Sequence, residues 1–180
     1  MKIIIFDTET TGLLLPSTAP IEKQPRIIEL GIITVEHGQM THMKNWLFDP
    51  GCEISAEITK ITGITNDDLK GKPKFRECLV EIEHYFSGSD LGFCHNAPFD
   101  TGMLKTELAL LQHAGFPWPK NMVCTAQEYA AVLGYRPSLK QLYELAMGKK
   151  LEQTHRAMDD AYAVYEILKA DDSLKELHGL

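Results

Sequence analysis

The sequence predicts a single α/β domain in which a mixed β-sheet packs against helices. Strand-like apolar runs fill the first part of the chain, apolar residues at helical spacing dominate the rest, and the length is 180 residues. A chain of this length can bury a sizeable core without disulfide or metal staples. Early strands followed by interleaved helices are typical of a mixed sheet covered by helices. Because we find no internal repeat and no linker longer than the loop at 15–25, we predict one domain over residues 1–180.

The predicted sheet begins with three strands. The run at 2–6 is almost entirely apolar and predicts a buried strand, and "RIIELGIITV" at 26–35 predicts a second. The segment "EHGQ" then supplies a turn at Gly38, and 44–48 predicts a third strand. A short turn between two such runs is typical of a hairpin, so we expect the fold to start with an antiparallel meander.

The later segments predict helices. Apolar residues from Phe75 to Phe86 follow helical spacing, with Gly88 as a C-terminal stop. A short strand at 91–94 follows, and after it "HNAPFD" leads into a helix that we expect to start at Asp100.

We expect that helix to end near Gly115. Thr125 and Ser138 each precede helical stretches and are residue types that cap helices. The last long helix is predicted over 156–170.

The overall charge excludes one class of nucleic-acid protein. The net charge of −7 argues against a broad basic face that coats nucleic acid. It allows an enzyme whose acids hold divalent cations, because bound ions reverse the local charge. The four cysteines form no C-x-x-C pair and read as free thiols. The N-terminal apolar run is too short for a signal peptide or a membrane span, so we expect a cytoplasmic protein.

Two carboxylates follow the first apolar run in "KIIIFDTETTGL". Side chains alternate along a strand, so Asp7 and Glu9 should point to the same face, about 7 Å apart along the chain. The final helix supplies another inward acid, because Asp160 shares its face with Val164 and Leu168. Its neighbour Asp159 should face solvent.

Asp100 is a fourth acid in a comparable place, where a short apolar strand meets a helix. Taken alone it would be an N-cap. Four acids at strand ends or on inward helix faces carry a desolvation penalty and mutual repulsion, which a hard divalent cation offsets. An all-oxygen set suits Mg²⁺ or Mn²⁺ better than Zn²⁺. We therefore predict a site for divalent cations, and two ions would suit phosphoryl displacement.

His155 is the candidate base. It precedes Asp160 by five residues, which is about 140° round a regular helix, so we place it on the loop that enters the last helix. An imidazole with a pKa near 6.5 can take a proton from an attacking water at neutral pH. The alternative is an ordinary polar surface residue.

Three segments carry a family resemblance. "FDTETTGL", "HNAPFD" and "HRAMDDA" resemble the three motifs of the DEDD exonuclease superfamily, His subtype, which includes the proofreading exonucleases of bacterial replicative DNA polymerases. The resemblance spans nearly the whole chain. It implies a ribonuclease-H-like fold with a mixed five-stranded sheet flanked by helices. It also implies removal of nucleoside 5′-monophosphates from a nucleic-acid 3′ end.

The resemblance also implies roles for individual residues. Asp7, Glu9 and Asp160 would bind two Mg²⁺ or Mn²⁺ ions directly, with Asp7 bridging them, Asp100 would act largely through water, and His155 would be the general base. The residues expected to contact substrate are Thr10 and Thr11 at the terminal sugar, Leu13 as a wedge beside the last base, and Glu57, Ile61 and Thr62 against the terminal nucleotide. Many relatives have His where this chain has Thr62, and Ile61 could equally be a core residue.

Several questions stay open at the level of sequence. We favour single-stranded DNA over RNA, although no residue reports the choice. The alternatives are an exoribonuclease of the same family and a subunit that docks on a DNA polymerase with little activity of its own. The chain could act alone or with a polymerase, and as a monomer or a homodimer. The basic residues that could meet phosphate are sparse, and we read them as solvated surface charges. They are Arg136, Lys140, Lys149 and Lys150.

Overall fold

The structure is a computed structural model that describes residues 1–178. A five-stranded mixed sheet has helices on both faces, and its strand order is β3-β2-β1-β4-β5. The strands are β1 (Lys2–Thr10), β2 (Ile27–Glu36), β3 (Gln39–Leu47), β4 (Leu91–Cys94) and β5 (Asn121–Cys124), with a 3-10 turn at Ile21–Lys23. The helices are α1 (Ala56–Thr62), α2 (Asn66–Leu69), α3 (Phe75–Phe86), α4 (Ala97–Leu110), α5 (Thr125–Leu133), α6 (Leu139–Met147), α7 (Ala157–Ala170) and α8 (Asp172–His178).

The predicted meander is present. β1 pairs antiparallel with β2, and β2 pairs antiparallel with β3. β4 and β5 continue the sheet on the other side of β1 in parallel orientation. Parallel neighbours need crossover connections, usually helical, and the segments containing α3 and α4 precede β4 and β5 in this way.

The core lies on both sides of the sheet because side chains alternate along β1. Ile4 and Phe6 join a buried cluster with residues of α3 and α4. Ile3 and Ile5 join a second cluster with residues of α6 and α7. Across residues 1–178, no helix is long and apolar enough to span a bilayer.

Several predicted boundaries were wrong. β1 continues four residues beyond the predicted end, because its pairing with β2 extends as far as Thr10. β3 begins at Gln39 instead of 44, directly after the turn. The short strand β5 and the helices α1 and α2 have too few residues to show a period, and the sequence did not reveal them.

Asp100 does not cap α4. The cap is Asn96, which takes a left-handed backbone conformation, and the helix starts three residues before Asp100 with Pro98 in its first turn, a favoured place for proline. The same helix ends at Leu110 instead of near Gly115. The backbone has already left the helical conformation at Gln112, which has φ +52°. Thr125 is the first residue of α5 and not its cap.

Other helix predictions are confirmed. Ser138 caps α6 through a reciprocal capping box with Gln141. α3 has the predicted bounds, and α7 starts one residue after the predicted start.

Candidate active site

The centre of the site is the C-terminal half of β1. Residues 3–5 of β1 pair with residues 91–93 of β4, and β1 then runs on to Thr10 while β4 ends at Cys94. Open α/β sheets bind ligands beyond the carboxyl ends of such strands. Asp7 and Glu9 lie here, half-buried, on one face of the strand.

Helix α7 brings Asp160 to the same place. Its first turn lies directly on β2 at Gly31, where an added Cβ atom would come within 2.6 Å of the Met158 backbone nitrogen. Gly31 is the direct cross-strand partner of Asp7. The potential ligand atoms of Asp7, Glu9 and Asp160 consequently all lie within 4.8 Å of one another. Three of the four predicted acids therefore meet.

Asp100 lies behind this cluster on α4 and is 2% exposed. Its Oδ1 accepts a hydrogen bond from the Thr8 amide at 3.0 Å and another from the Thr8 hydroxyl at 2.8 Å. It lies close enough for its charge to raise the pKa of Asp7. The structure thus places Asp100 beside the acid cluster, with one oxygen engaged by the strand between Asp7 and Glu9.

The acids raise one another's pKa values. Burial is the largest cause of the raised pKa of Asp7, followed by the charge of Asp100 and then that of Asp160. Burial, followed by the charges of Asp160 and Glu29, raises the pKa of Glu9 to about 8. These carboxylates are costly to ionise together, which is the electrostatic condition that a bound cation relieves.

The other two acids have hydrogen-bond donors that oppose the effect of burial. Burial raises the pKa of Asp100 to about 7 despite its two bonds from Thr8. Burial also raises the pKa of Asp160, while the hydrogen bond from Gln153 and the charge of His155 lower it. Gln153 Nε2 lies 2.8 Å from Asp160 Oδ2, and this orienting contact was not predicted from the sequence.

His155 lies on the loop before α7, as predicted. It is exposed and has φ +51°, a backbone conformation that few residues other than glycine adopt. It lines an open cleft of about 490 Å³ together with Asp7 and Asp160. The imidazole therefore faces the same space as the acids and is accessible to water.

The lining of this cleft also contains a cation, although the sequence indicated only a solvated surface charge there. Arg136, on the loop between α5 and α6, lines the cleft with His95 and Asn96, and its guanidinium donates a hydrogen bond to the Asn96 side chain. His95 stays neutral because burial lowers its pKa to about 4. Its Nδ1 lies 3.0 Å from the Thr125 hydroxyl, so the loop after β4 is tied to the start of α5.

The "TTGL" segment borders a second cleft, of about 570 Å³. Thr11 exchanges two hydrogen bonds with Arg26, at 2.9 and 3.0 Å, and Thr10 is buried with its hydroxyl on the Gly12 carbonyl. Leu13 is 80% exposed. The segment is thus a fixed turn that holds an apolar side chain out in solvent, as a wedge would require.

The predicted contacts from α1 have mixed placements. Glu57 is exposed in the first turn and Ile61 is 46% exposed, so Ile61 is not the core residue that the alternative reading allowed. Thr62 is 2% exposed, and its hydroxyl donates to the Ile58 carbonyl and accepts from the Ile64 amide. The Thr62 hydroxyl is therefore engaged inside the protein, and the contact of Thr62 with substrate stays a prediction.

The chain is similar in sequence to an exonuclease family and to proteins of DNA polymerase III. The family model described as "RNase_T: Exonuclease" matches residues 4–168. The "DNA polymerase III PolC-type" protein of Clostridium perfringens is 34% identical over 172 residues, which is 93% of this chain and 11% of that protein. The chain thus spans about a tenth of such relatives. The "DNA polymerase III subunit epsilon" of Treponema pallidum is 33% identical over 165 residues, which is 90% of this chain and 72% of that protein.

Solved structures share the fold. The nuclease domain of 3′hExo, described as a DEDDh family member bound to rAMP, superposes with a TM-score of 0.75 at 17% identity, covering 99% of this chain and 92% of that one. Exonuclease X in complex with 5′ overhanging duplex DNA gives 0.68 at 22% identity, covering 99% and 93%. These similarities confirm the predicted fold class, and the match over 4–168 together with the epsilon relative shows that the chain belongs to the RNase_T exonuclease family.

Proposed function

We propose that this chain hydrolyses the terminal phosphodiester bond at the 3′ end of nucleic acid and releases nucleoside 5′-monophosphates. The observation that carries the proposal is the meeting of Asp7, Glu9 and Asp160 within 4.8 Å, with His155 in the same cleft. A water activated by a base, next to a site that attracts cations, is the arrangement that phosphodiester hydrolysis needs.

The residues present suit two divalent cations, Mg²⁺ or Mn²⁺. Asp7, Glu9 and Asp160 would hold them directly and Asp100 would contribute through water, because hard cations take carboxylate oxygens as ligands. The raised pKa values of Asp7 and Glu9 support this, since repulsion among the acids falls when positive charge enters. When bound, the ions would stabilise charge on the attacking and leaving oxygens.

The chain's own residues would supply the other steps. His155 would take the proton from the attacking water at an imidazole nitrogen, and its exposed place on the α7 entry loop allows it to exchange that proton with solvent. The backbone of Thr10 and Thr11 would bind the terminal sugar, and Leu13 would lie against the last base with Glu57 and Ile61 nearby. Arg136, which lines the same cleft, would offset phosphate charge.

We further propose that DNA is the substrate and that a DNA polymerase is the partner. The PolC-type and epsilon relatives support this assignment. RNA is the competing substrate, because two solved neighbours are described with rAMP and with a histone mRNA stem-loop. The chain could act as a monomer or a homodimer.

The test is digestion of matched single-stranded and double-stranded DNA and RNA oligonucleotides in Mg²⁺, Mn²⁺ or EDTA. We expect release of nucleoside 5′-monophosphates from the 3′ end, no release in EDTA, and faster digestion of single-stranded DNA. Asp7→Asn and His155→Ala should lower kcat by about 10² or more with unchanged circular dichroism.

Matched controls are available for both variants. Asp159→Asn removes an exposed acid next to Asp160. His37→Ala removes an exposed histidine that shares φ +51° with His155 but lies in the β2–β3 turn. Both controls should digest normally. Normal digestion by Asp7→Asn, or none by the native chain in either metal, would refute the proposed activity and leave a docking role as the alternative.

A further inference from the structure

Helix α7 begins without a side-chain cap from its own sequence. Its N-cap residue, Arg156, makes no capping hydrogen bond. A buried acid on β2 takes this role: Glu29 Oε2 accepts a hydrogen bond from the Ala157 amide at 3.0 Å. A carboxylate at a helix N-terminus satisfies a free N–H group and favours the helix dipole.

Glu29 also holds the residue before the helix. Arg156 Nε lies 2.9 Å from Glu29 Oε2, and Arg156 Nη2 lies 2.5 Å from Oε1. Asn45 adds a donor from β3, at 2.8 Å from Oε1. Both oxygens of this fully buried carboxylate are thus engaged, which leaves Glu29 poorly placed to be a metal ligand itself.

Glu29 lies on β2, directly beside the centre of the candidate site on β1. Glu29 is the direct cross-strand partner of Glu9, and the segment it holds is flanked by His155 on one side and Asp160 on the other. The first turn of α7 also presses against Gly31, two residues along β2. The position of Glu29 thus connects the strand that carries two of the acids with the helix that carries the third.

We propose that Glu29 is a positioning residue that fixes the start of α7 on the sheet and thereby sets the spacing of Asp160 and His155 from Asp7 and Glu9. The proposal rests on the proposed function of the same site. Glu29 adds negative charge beside the cluster and pairs with Arg156, whose charge would otherwise face the site unopposed. Its loss should weaken cation binding as well as the fold.

The chain offers a matched control for the purely structural role. Glu107 on α4 is equally buried, accepts hydrogen bonds from Arg26 Nε and Nη2 at 2.9 and 2.7 Å, and accepts the Ile27 amide at 3.0 Å. Each glutamate therefore combines an arginine fork with the next backbone amide. Only Glu29 holds the helix that carries Asp160.

The experiment is a calorimetric titration with Mn²⁺ alone, without nucleic acid, together with thermal unfolding in EDTA. Glu29→Gln and Glu107→Gln should both lower the melting temperature. Only Glu29→Gln should raise the Mn²⁺ dissociation constant, by about tenfold, as loss of a group that orients metal ligands does. Its kcat on an oligonucleotide should fall more than its KM changes.

Two results would overturn the proposal. One is Mn²⁺ affinity of Glu29→Gln within about twofold of the native chain, the range of a neutral substitution, and the other is equal weakening by Glu107→Gln. If Glu29→Gln does not fold, Arg156→Lys keeps the charge but loses the fork, and it should weaken Mn²⁺ binding in the same direction. Unchanged binding by that variant would also refute the proposal.

The outcome separates this inference from the function on which it rests. A native chain that neither binds Mn²⁺ nor releases nucleotides refutes both. A native chain that does both, alongside a Glu29→Gln variant that behaves identically, refutes only the role of Glu29.

Discussion

Arg136 is the residue through which we expect a chain with a net charge of −7 to contact a phosphate backbone. Its guanidinium lies on the wall of the cleft that contains Asp7 and His155. We expect Arg136→Gln to raise KM for an oligonucleotide several-fold with a smaller change in kcat. Each phosphate contact on a single strand contributes about 0.7 to the slope of log affinity against log salt, so the slope of kcat/KM should become shallower by about that amount.

Lys140→Gln is the control for this measurement. Lys140 is exposed at the start of α6, four residues from Arg136, and does not line the cleft. Lys140→Gln removes one positive charge, as Arg136→Gln does, and should leave the salt slope unchanged. Equal slopes for the native chain and Arg136→Gln would show that Arg136 is an ordinary surface charge.

Individual site residues were predictable where the sequence placed a charged side chain on a face that should be buried. Asp7, Glu9 and Asp160 stood out because charge on an inward face needs a reason, and the structure brings them together. Arg136 did not stand out, since its approach to Asn96 depends on one loop packing against another. The internal hydrogen bonds of the Thr62 hydroxyl were not predictable, since only the folded chain brings the Ile58 carbonyl and the Ile64 amide to it.

At the level of elements, the position of α7 depends on the absence of a side chain at Gly31 of β2. An added Cβ atom at Gly31 would lie 2.6 Å from Met158 N and 2.7 Å from Ala157 C, both backbone atoms. Backbone cannot swing away as a side chain can, so Gly31→Ala should displace the first turn of α7. We expect the free energy of unfolding to fall by about 1–3 kcal/mol, as overpacking does, and Mn²⁺ binding to weaken with it.

Gly92→Ala is the comparison for that variant. Its Cβ atom would meet the Met122 and Pro119 side chains on the β4–β5 side of the sheet. The flexible Met122 can move, so the loss of stability should be smaller and Mn²⁺ affinity should be unchanged. Weaker Mn²⁺ binding by Gly92→Ala than by Gly31→Ala would mean that the contact at Gly31 does not position the site.

Long elements were predictable and short ones were not. α3 and α7 carry several apolar turns, and their bounds agree with prediction within one residue. α1, α2 and β5 span seven, four and four residues, which is too short for a period to emerge. The start of α4 was missed because Asp100 resembles a cap, whereas its carboxylate accepts hydrogen bonds from Thr8 on β1.

The whole molecule couples its stability to the charge of the site. The folded pKa values of Glu9, about 8, and Asp100, about 7, lie above the usual range of these groups. A raised folded pKa means that the folded state binds protons more tightly than the unfolded state. The resulting stability is complete below the unfolded pKa values, near 4, and is lost as pH rises through the folded values.

This predicts that, in EDTA, the melting temperature falls between about pH 6.5 and pH 8.5, across the folded values of Glu9 and Asp100. Groups whose folded pKa is lowered act below this window. His95 has its folded pKa lowered to about 4, so its effect is lost only as pH falls below about 6.5. Asp68, which is exposed, and Asp90, which is half-buried, have lowered pKa values and act at still lower pH.

Divalent cations should reverse this loss, because they bind the folded site and stabilise it by mass action. Thermal unfolding at both ends of the window, in EDTA and in Mn²⁺, measures the effect. The gain from Mn²⁺ should be larger at the higher pH, where the acids are ionised and no proton must leave before the ion binds. Asp7→Asn removes one of the repelling charges, so it should flatten the decline in EDTA and also reduce the gain from the metal. A decline that is the same with and without Mn²⁺ would show that the acids of this cluster do not share a cation.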